Sequence, residues 1–429
     1  VNLNKYLIYP ILLGGCLISA CANDSHSGSD HILLSAAAIV NSNATPADKA
    51  EQLARQSEVL LTAQGFLQAS TLVDLALQND PNNLRAKFIK VMMGPVLAVK
   101  GMNIRVRPLA EKDPKVLKEY ENDIEKTKAE MPDSSFKDFL FDGQPDIHDE
   151  AELQAQFDNI AQAFENIRVF VKSIKATTEL TVKANTLLVP DLNQRYAMAC
   201  EIKETKNLEY ELICPPSENR YNVTLNQADF ANLRDLAAAY EMSFALYNSY
   251  DLSGAIEVAK SKKSRKVPAQ EFVNDLLKKS NFGHLRPTSK IQNMKEWGLD
   301  YVAGWQWIVD HQDTLCPRGQ NSGKNRPGMW LNEGICYGSY LQPYIDSLQT
   351  ILTKENQDLE STKGGKTYAT KFNPMRLFDN PVADLRALGP FTIDKCNQLV
   401  KIGEPTMAGV FPAGDANSVL PLRMEKCRK

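Results

Sequence analysis

The chain has 429 residues, a formal net charge of −3, 43% hydrophobic and 24% charged residues. That length supports one large or two ordinary domains with a substantial core. The slightly acidic balance argues against a nucleic-acid partner, because neutralising phosphate demands a basic excess.

The N-terminus carries the sharpest signal. Lys5 supplies a minimal charged region, and an apolar run over 6–17 is interrupted by Pro10. It is shorter than the roughly 20 apolar residues that a membrane-spanning helix needs. Ile18, Ser19, Ala20 and Cys21 follow, small residues of the kind that a signal peptidase accommodates. This quartet resembles the bacterial lipobox. The resemblance implies a signal peptide over residues 1–20, with cleavage before Cys21, and lipid attached to Cys21. Two or three acyl chains there would give a stable membrane anchor. Ala22 stands where an Asp would imply inner-membrane retention, so the outer membrane is the expected location. Residues 21–45 are expected to form a tether. Its stretch 22–30 is small and polar, and His26 and His31 read as linker residues.

Of eight cysteines, Cys16 falls in the leader and Cys21 is the lipidation site. Cys200, Cys214, Cys316, Cys336, Cys396 and Cys427 remain as disulfide candidates. An even set in an exported chain points to disulfides, and sequential pairing would close the shortest loops, although sequence order leaves the connectivity open.

Residues 46–105 are expected to form the first folded unit. Leu53, Leu60, Phe66, Ala69, Val73, Ala76 and Pro81 sit near the packing positions of a two-helix repeat, with Gly65 at the turn and Ala86 in the next helix. The pattern resembles a tetratricopeptide repeat (TPR) and implies an α-α superhelical stack, completed by neighbouring helices because one repeat cannot bury its own faces. A weaker echo falls at Asp251, Ala255, Ile256 and Ala259. Residues 106–429 are expected to form a helical body with one small β-hairpin insertion. Within it, Leu153, Phe157, Ile160, Phe164, Ile167, Val171 and Ile174 make a single stripe on a long helix. Asp149 and Glu152 read as its capping box. The blander role for that stripe is packing on the chain's own helices rather than on a coiled-coil partner.

Residues 195–214 alternate with period two and read as a β-hairpin. The turn is expected near 203–207; a turn symmetric about Thr205 sets Cys200 opposite Tyr210, and pairing Cys200 directly with Cys214 requires a register centred on position 207. Thr224 with Gln227 reads as the cap of a helix carrying Phe230, Leu233, Ala237, Tyr240, Phe244 and Tyr247. Further helices are expected near 269–280, 289–314, 330–354 and 381–402, with a polar loop over 355–374.

Chemical motifs are weak. Lys363–Thr367 imitates a phosphate loop, but Glu360 occupies the position of its first glycine. Asp138, Asp142, Asp146 and Asp149 follow calcium-loop spacing only in part, with Leu140 at a ligand position. His148, His284 and His311 lack a nucleophile motif or a zinc helix around them. The basic run Lys260–Lys266 reads as a solvated helix end and linker. No catalytic residue, metal, cofactor or nucleotide is therefore expected.

All four tryptophans fall within 297–330. Trp297, Tyr301, Trp305 and Ile308 read as one core-facing side of a helix, while Trp307 points elsewhere. Cys316 and Cys336 bracket a loop carrying Arg318, Lys324, Arg326 and Trp330, and a pinned loop loses little entropy on binding. Trp307 and these four are the binding candidates; the blander reading, and the favoured one, is a stapled surface loop with Trp330 packed inward. Taken together, the sequence describes a mainly α, noncatalytic, lipid-anchored protein that docks another envelope protein or peptide. A hydrolase acting on peptidoglycan or another envelope glycan is the alternative, because paired carboxylates leave no short motif.

Overall fold

A computed structural model describes residues 38–61, 66–111, 114–130, 135–175, 177–183, 201–204, 210–213, 222–263, 269–311, 338–355, 357–363, 366–393, 399–414 and 416–419. Helices dominate, joined by short two-stranded antiparallel ladders. No described helix is long and apolar enough to cross a membrane.

After a helical turn at 38–40, the described residues form α1 (Pro46–Val59), α2 (Phe66–Asn79) and α3 (Leu84–Ala98). Thr45 caps α1 by accepting from the Asp48 amide, and Asn83 caps α3 by accepting from that of Ala86. Leu53, Leu60, Phe66, Ala69, Val73, Ala76 and Ala86 are all buried, as the repeat-like spacing anticipates. Alanine at 69 and 76 keeps side-chain bulk out of the α1–α2 contact, and Pro81 follows the end of α2. Gly65 lies outside the described residues.

The short α4 (Met102–Arg105) and α5 (Arg107–Glu111) follow, with the longer α6 (Pro114–Glu130) and the short α7 (Ser135–Phe141) after them. Then comes α8 (Glu150–Ser173). Its stripe from Leu153 to Val171 is buried, and it packs on α3 and on α9 (Gln227–Asn248). The chain's own helices therefore satisfy it. Asp149 accepts from the Glu152 amide at 2.9 Å, while Glu152 reaches back to the His148 amide at 2.6 Å, one residue before the cap. Where α3 meets α8, Gly94 faces Ala163, and a Cβ there would make ordinary contact at 3.5 Å from Ala163 Cβ.

Between α8 and α9, β1 (Leu180–Lys183) pairs with β4 (Asn222–Leu225), and β2 (Glu201–Glu204) pairs with β3 (Tyr210–Ile213). The antiparallel pairing expected within 195–214 is thus present in its described residues, but the turn expected near 203–207 is displaced, because Lys203 and Glu204 are still paired in β2. Glu201 faces Ile213 and Glu204 faces Tyr210, a register centred on position 207. That is the register a Cys200–Cys214 bond requires; both cysteines lie outside the described residues. Thr224 belongs to β4 rather than to a helix cap. Asn226 caps α9 instead: its Oδ1 accepts from the Asp229 amide at 3.4 Å, and Asp229 Oδ2 accepts from the Asn226 amide at 3.1 Å.

Next are α10 (Ala255–Lys263), α11 (Ala269–Leu277), a 3-10 turn at Ile291–Asn293, α12 (Met294–Asp310) and α13 (Gly338–Thr353). Two expectations fail beyond this point. The supposed loop 355–374 is a hairpin of β5 (Gln357–Lys363) and β6 (Lys366–Phe372), with Lys363 opposite Lys366. Only two residues separate the paired Lys363 and Lys366, the spacing of a tight hairpin, and the strands supply Thr, Tyr and Phe suited to a pleated surface. The helix expected over 381–402 is also not formed by the described residues of that range. Its residues form a 3-10 turn (Leu385–Leu388) and the short ladder of β7 (Thr392–Ile393) with β8 (Leu399–Lys401). Pro390 offers no amide hydrogen and disfavours helical geometry at Gly389, so the periodicity could not propagate. The described chain closes with α14 (Arg376–Asp379) and α15 (Ala416–Val419).

The largest apolar cluster joins α1, α2, α3, α8, β1, β4 and α9. A second joins α12, α13 and Met375, and a third gathers Ile402, Val410, Phe411 and Ala416.

Candidate functional site

Helix α12 is apolar on two sides. Trp297 packs with Ala238 and Ala245 of α9, and Tyr301 joins them. Val302 and Val309 pack with Ile345 and Leu352 of α13. Trp305 belongs to this second side, not to that of Trp297, and meets Tyr301 edge-on at 6.2 Å. A helix flanked by two others needs apolar residues on more than one stripe, so a single-face reading misassigns Trp305.

Trp307 leaves both packed sides and is half-buried. Its ring stacks on His311 at 4.1 Å with planes 15° apart, and His311 Nδ1 lies 2.7 Å from the Trp307 carbonyl oxygen. Beside this pair, Gln306 donates to Asp310 at 2.8 Å and to Gln342 at 3.2 Å, while Gln342 donates to Gln306 at 3.0 Å and to Asp346 at 2.8 Å. These amides tie the exposed edges of α12 and α13 together. Of the five binding candidates, the structure thus places Trp307 against its own helix end. Arg318, Lys324, Arg326 and Trp330 lie outside the described residues, as do Cys21, Cys316, Cys336, Cys396 and Cys427.

A different surface was not legible as a site. Along the outer side of α9, Leu236 is 44% exposed, Leu246 53% and Tyr247 64%. Leu236 and Tyr247, eleven residues apart, fall within about 20° of each other around a helix of 3.6 residues per turn. Tyr344 of α13 is 70% exposed, and Leu348 follows one turn later on the same face. Tyr247, which the spacing places with Phe230 and Leu233, faces solvent instead. The available signal was an excess of apolar residues: Ala231, Leu236, Ala238, Ala239 and Leu246 exceed what one buried stripe can use.

The strongest electrostatic perturbation lies inside the three-helix contact of α8, α9 and α12. Arg168 Nε donates to both Glu241 oxygens, and its Nη1 donates to Asp300 at 2.8 Å. Lys172 also reaches Asp300, at 3.0 Å, and the Arg168 guanidinium lies 6.0 Å from the Trp297 ring centre. Burial pushes Glu241 up to about 7, against the opposing pull of Arg168. Burial likewise pushes Asp235 up to about 9. Both acids are only 1% exposed, so helix packing closes them off from any solvent-borne substrate.

No family model matches this chain, no curated protein matches it, and no solved structure does.

The partial calcium motif resolves into other roles. Asp142 lies 3.9 Å from Lys100, Asp146 accepts from Arg105 at 2.8 Å, and Asp149 caps α8. The Arg105 hydrogen bond holds Asp146 below the usual carboxylate range. Among the described residues, no group of three or more His, Cys, Asp or Glu is placed to hold a metal ion. His284 stands beside Asp384 at 3.5 Å, far in sequence from His148 and His311.

Proposed function

We propose that this chain is a noncatalytic lipoprotein of the cell envelope, anchored through lipid on Cys21 and docking another envelope protein or peptide with its helical body. The lipobox-like quartet supports the anchor. The TPR-like packing of α1 and α2 supports a docking role by fold-level analogy. The observation that carries the docking role is the outer side of α9. Leu236, Leu246 and Tyr247 keep large apolar surface in water there, and grouped exposed apolar residues mark interaction surfaces. Tyrosine is well suited to such a contact, since it covers much area while ordering few torsions.

The hydrolytic alternative needs two acids that reach a glycan in a cleft. Asp235 and Glu241, the two acids whose protonation is most displaced upward, are sealed between helices and do not meet that need.

Site-specific photo-crosslinking in intact cells tests the docking role. A crosslinker replacing Tyr247 is expected to give one discrete membrane-associated adduct. The same crosslinker at the exposed Lys278 of the α11 end is expected to give none. Equal, diffuse labelling from both positions contradicts the proposal.

A further inference from the structure

Asp235 lies on the α9 side that meets α12. It is 1% exposed, and neither carboxyl oxygen has a hydrogen-bond partner. Facing it is Gly304, where a Cβ would fall 1.7 Å from Asp235 Oδ1. The backbone of α12 is therefore pressed directly against the carboxyl group. A buried ion without a donor or counter-charge is strongly disfavoured, whereas a neutral acid in the same place costs far less.

We propose that Asp235 is a proton latch. The α9–α12 seam stays closed while this carboxyl carries its proton, and the seam opens to water when the proton is given up.

The charges around it leave the acid uncompensated. From α12 the facing charged group is Asp300, of the same sign, which raises the cost of a second anion. Asp300 is itself engaged by Arg168 and Lys172 of α8. On α9, Arg234 pulls Asp235 towards ionisation but does not overcome burial. Glu241, also on α9, is engaged by Arg168 and sensed by Lys290 and Glu165. In an opened seam the carboxyl is hydrated and regains its ordinary value of 3.8, against about 9 when closed. Between those two values each pH unit favours the open form by about tenfold, the effect of one proton. Glu241 titrates in the closed form near 7, so its own contribution fades above that pH and Asp235 dominates the change towards pH 9.

Hydrogen exchange of the full chain at pH 7, 8 and 9, corrected for base catalysis of exchange itself, tests this. Exchange in α12 (Met294–Asp310) relative to α1 (Pro46–Val59) is expected to accelerate about tenfold from pH 7 to 8 and about fivefold from pH 8 to 9, where the closed form itself begins to ionise. In Asp235→Asn that dependence is expected to vanish. A wild-type α12 whose corrected exchange is independent of pH overturns the latch. So does an Asp235→Asn chain that keeps the wild-type slope. The wild-type arm decides on its own should the variant fail to accumulate.

Discussion

Arg168 and Glu241 meet through a single nitrogen: Nε lies 2.9 and 3.0 Å from the two oxygens of a carboxylate that is almost wholly buried. The same guanidinium reaches across to Asp300, so one side chain of α8 ties α9 and α12 together. Its removal leaves Glu241 buried without its counter-charge, whereas Asp300 keeps Lys172 at 3.0 Å.

Arg168→Met is therefore expected to lower unfolding stability by about 3–5 kcal/mol at pH 8, measured by denaturant titration. The sign of its pH dependence follows from Glu241. Its folded value is raised from 4.5 to about 7, so its contribution to stability is full below 4.5 and lost as pH rises through 7. Without Arg168 the folded value climbs further. The penalty at pH 5, where Glu241 accepts a proton readily, is expected to be clearly smaller than at pH 8. A penalty independent of pH contradicts this.

Two glycines of α12 make opposite forecasts. A Cβ at Gly298 would lie 2.8 Å from the terminal carbons of Leu352, a flexible side chain that can turn aside. Alanine gains up to about 1 kcal/mol over glycine in a helix, so Gly298→Ala is expected to be close to neutral. At Gly304 the obstacle is the sealed Asp235 carboxyl, and Gly304→Ala is expected to cost about 1–3 kcal/mol despite the same helical gain. Thermal melts of the two variants side by side check the contrast.

The start of α8 rests on one carboxylate. Asp149→Ala removes the acceptor for the Glu152 amide and is expected to cost about 1 kcal/mol, read from a denaturation midpoint. Asp149→Asn, which keeps an acceptor oxygen, is expected to retain most of that stability. Equal losses in the two variants contradict a capping role.

The β2–β3 register bears on the cysteines. With Glu201 opposite Ile213, the ladder has the register that a bond between Cys200 and Cys214 requires. Non-reducing peptide mapping of protein purified from the envelope is expected to recover a peptide pair joined through these two residues. Recovery of both as free thiols contradicts the pairing.

Local pattern made some of this fold readable. The α8 stripe repeats at steps of four and three because one side of that helix is buried along its length. Leu53, Phe66, Ala69 and Ala76 were readable for a similar reason, since two helices that pack closely restrict size at each contact. Other features depend on residues far apart in the chain. Arg168 occupies a buried position that its charge disguises, and its partners stand at 241 and 300. Asp235 is intelligible only beside Gly304, a contact that no short spacing encodes. The polar β5–β6 hairpin resembles a loop in composition, although paired glycines between β-branched and aromatic residues carry the hairpin signal. Of the site, Trp307 was identified as leaving the core, yet the exposed side of α9 was not, because nothing local says which apolar residues remain uncovered.

Attachment to the envelope is tested most directly at the mature N-terminus. Intact-mass and N-terminal peptide analysis of protein extracted from membranes is expected to show residues 1–20 removed and acyl chains on Cys21. In Cys21→Ser the processed, lipidated species is expected to be lost. A native protein that retains residues 1–20 and carries no lipid contradicts the envelope assignment.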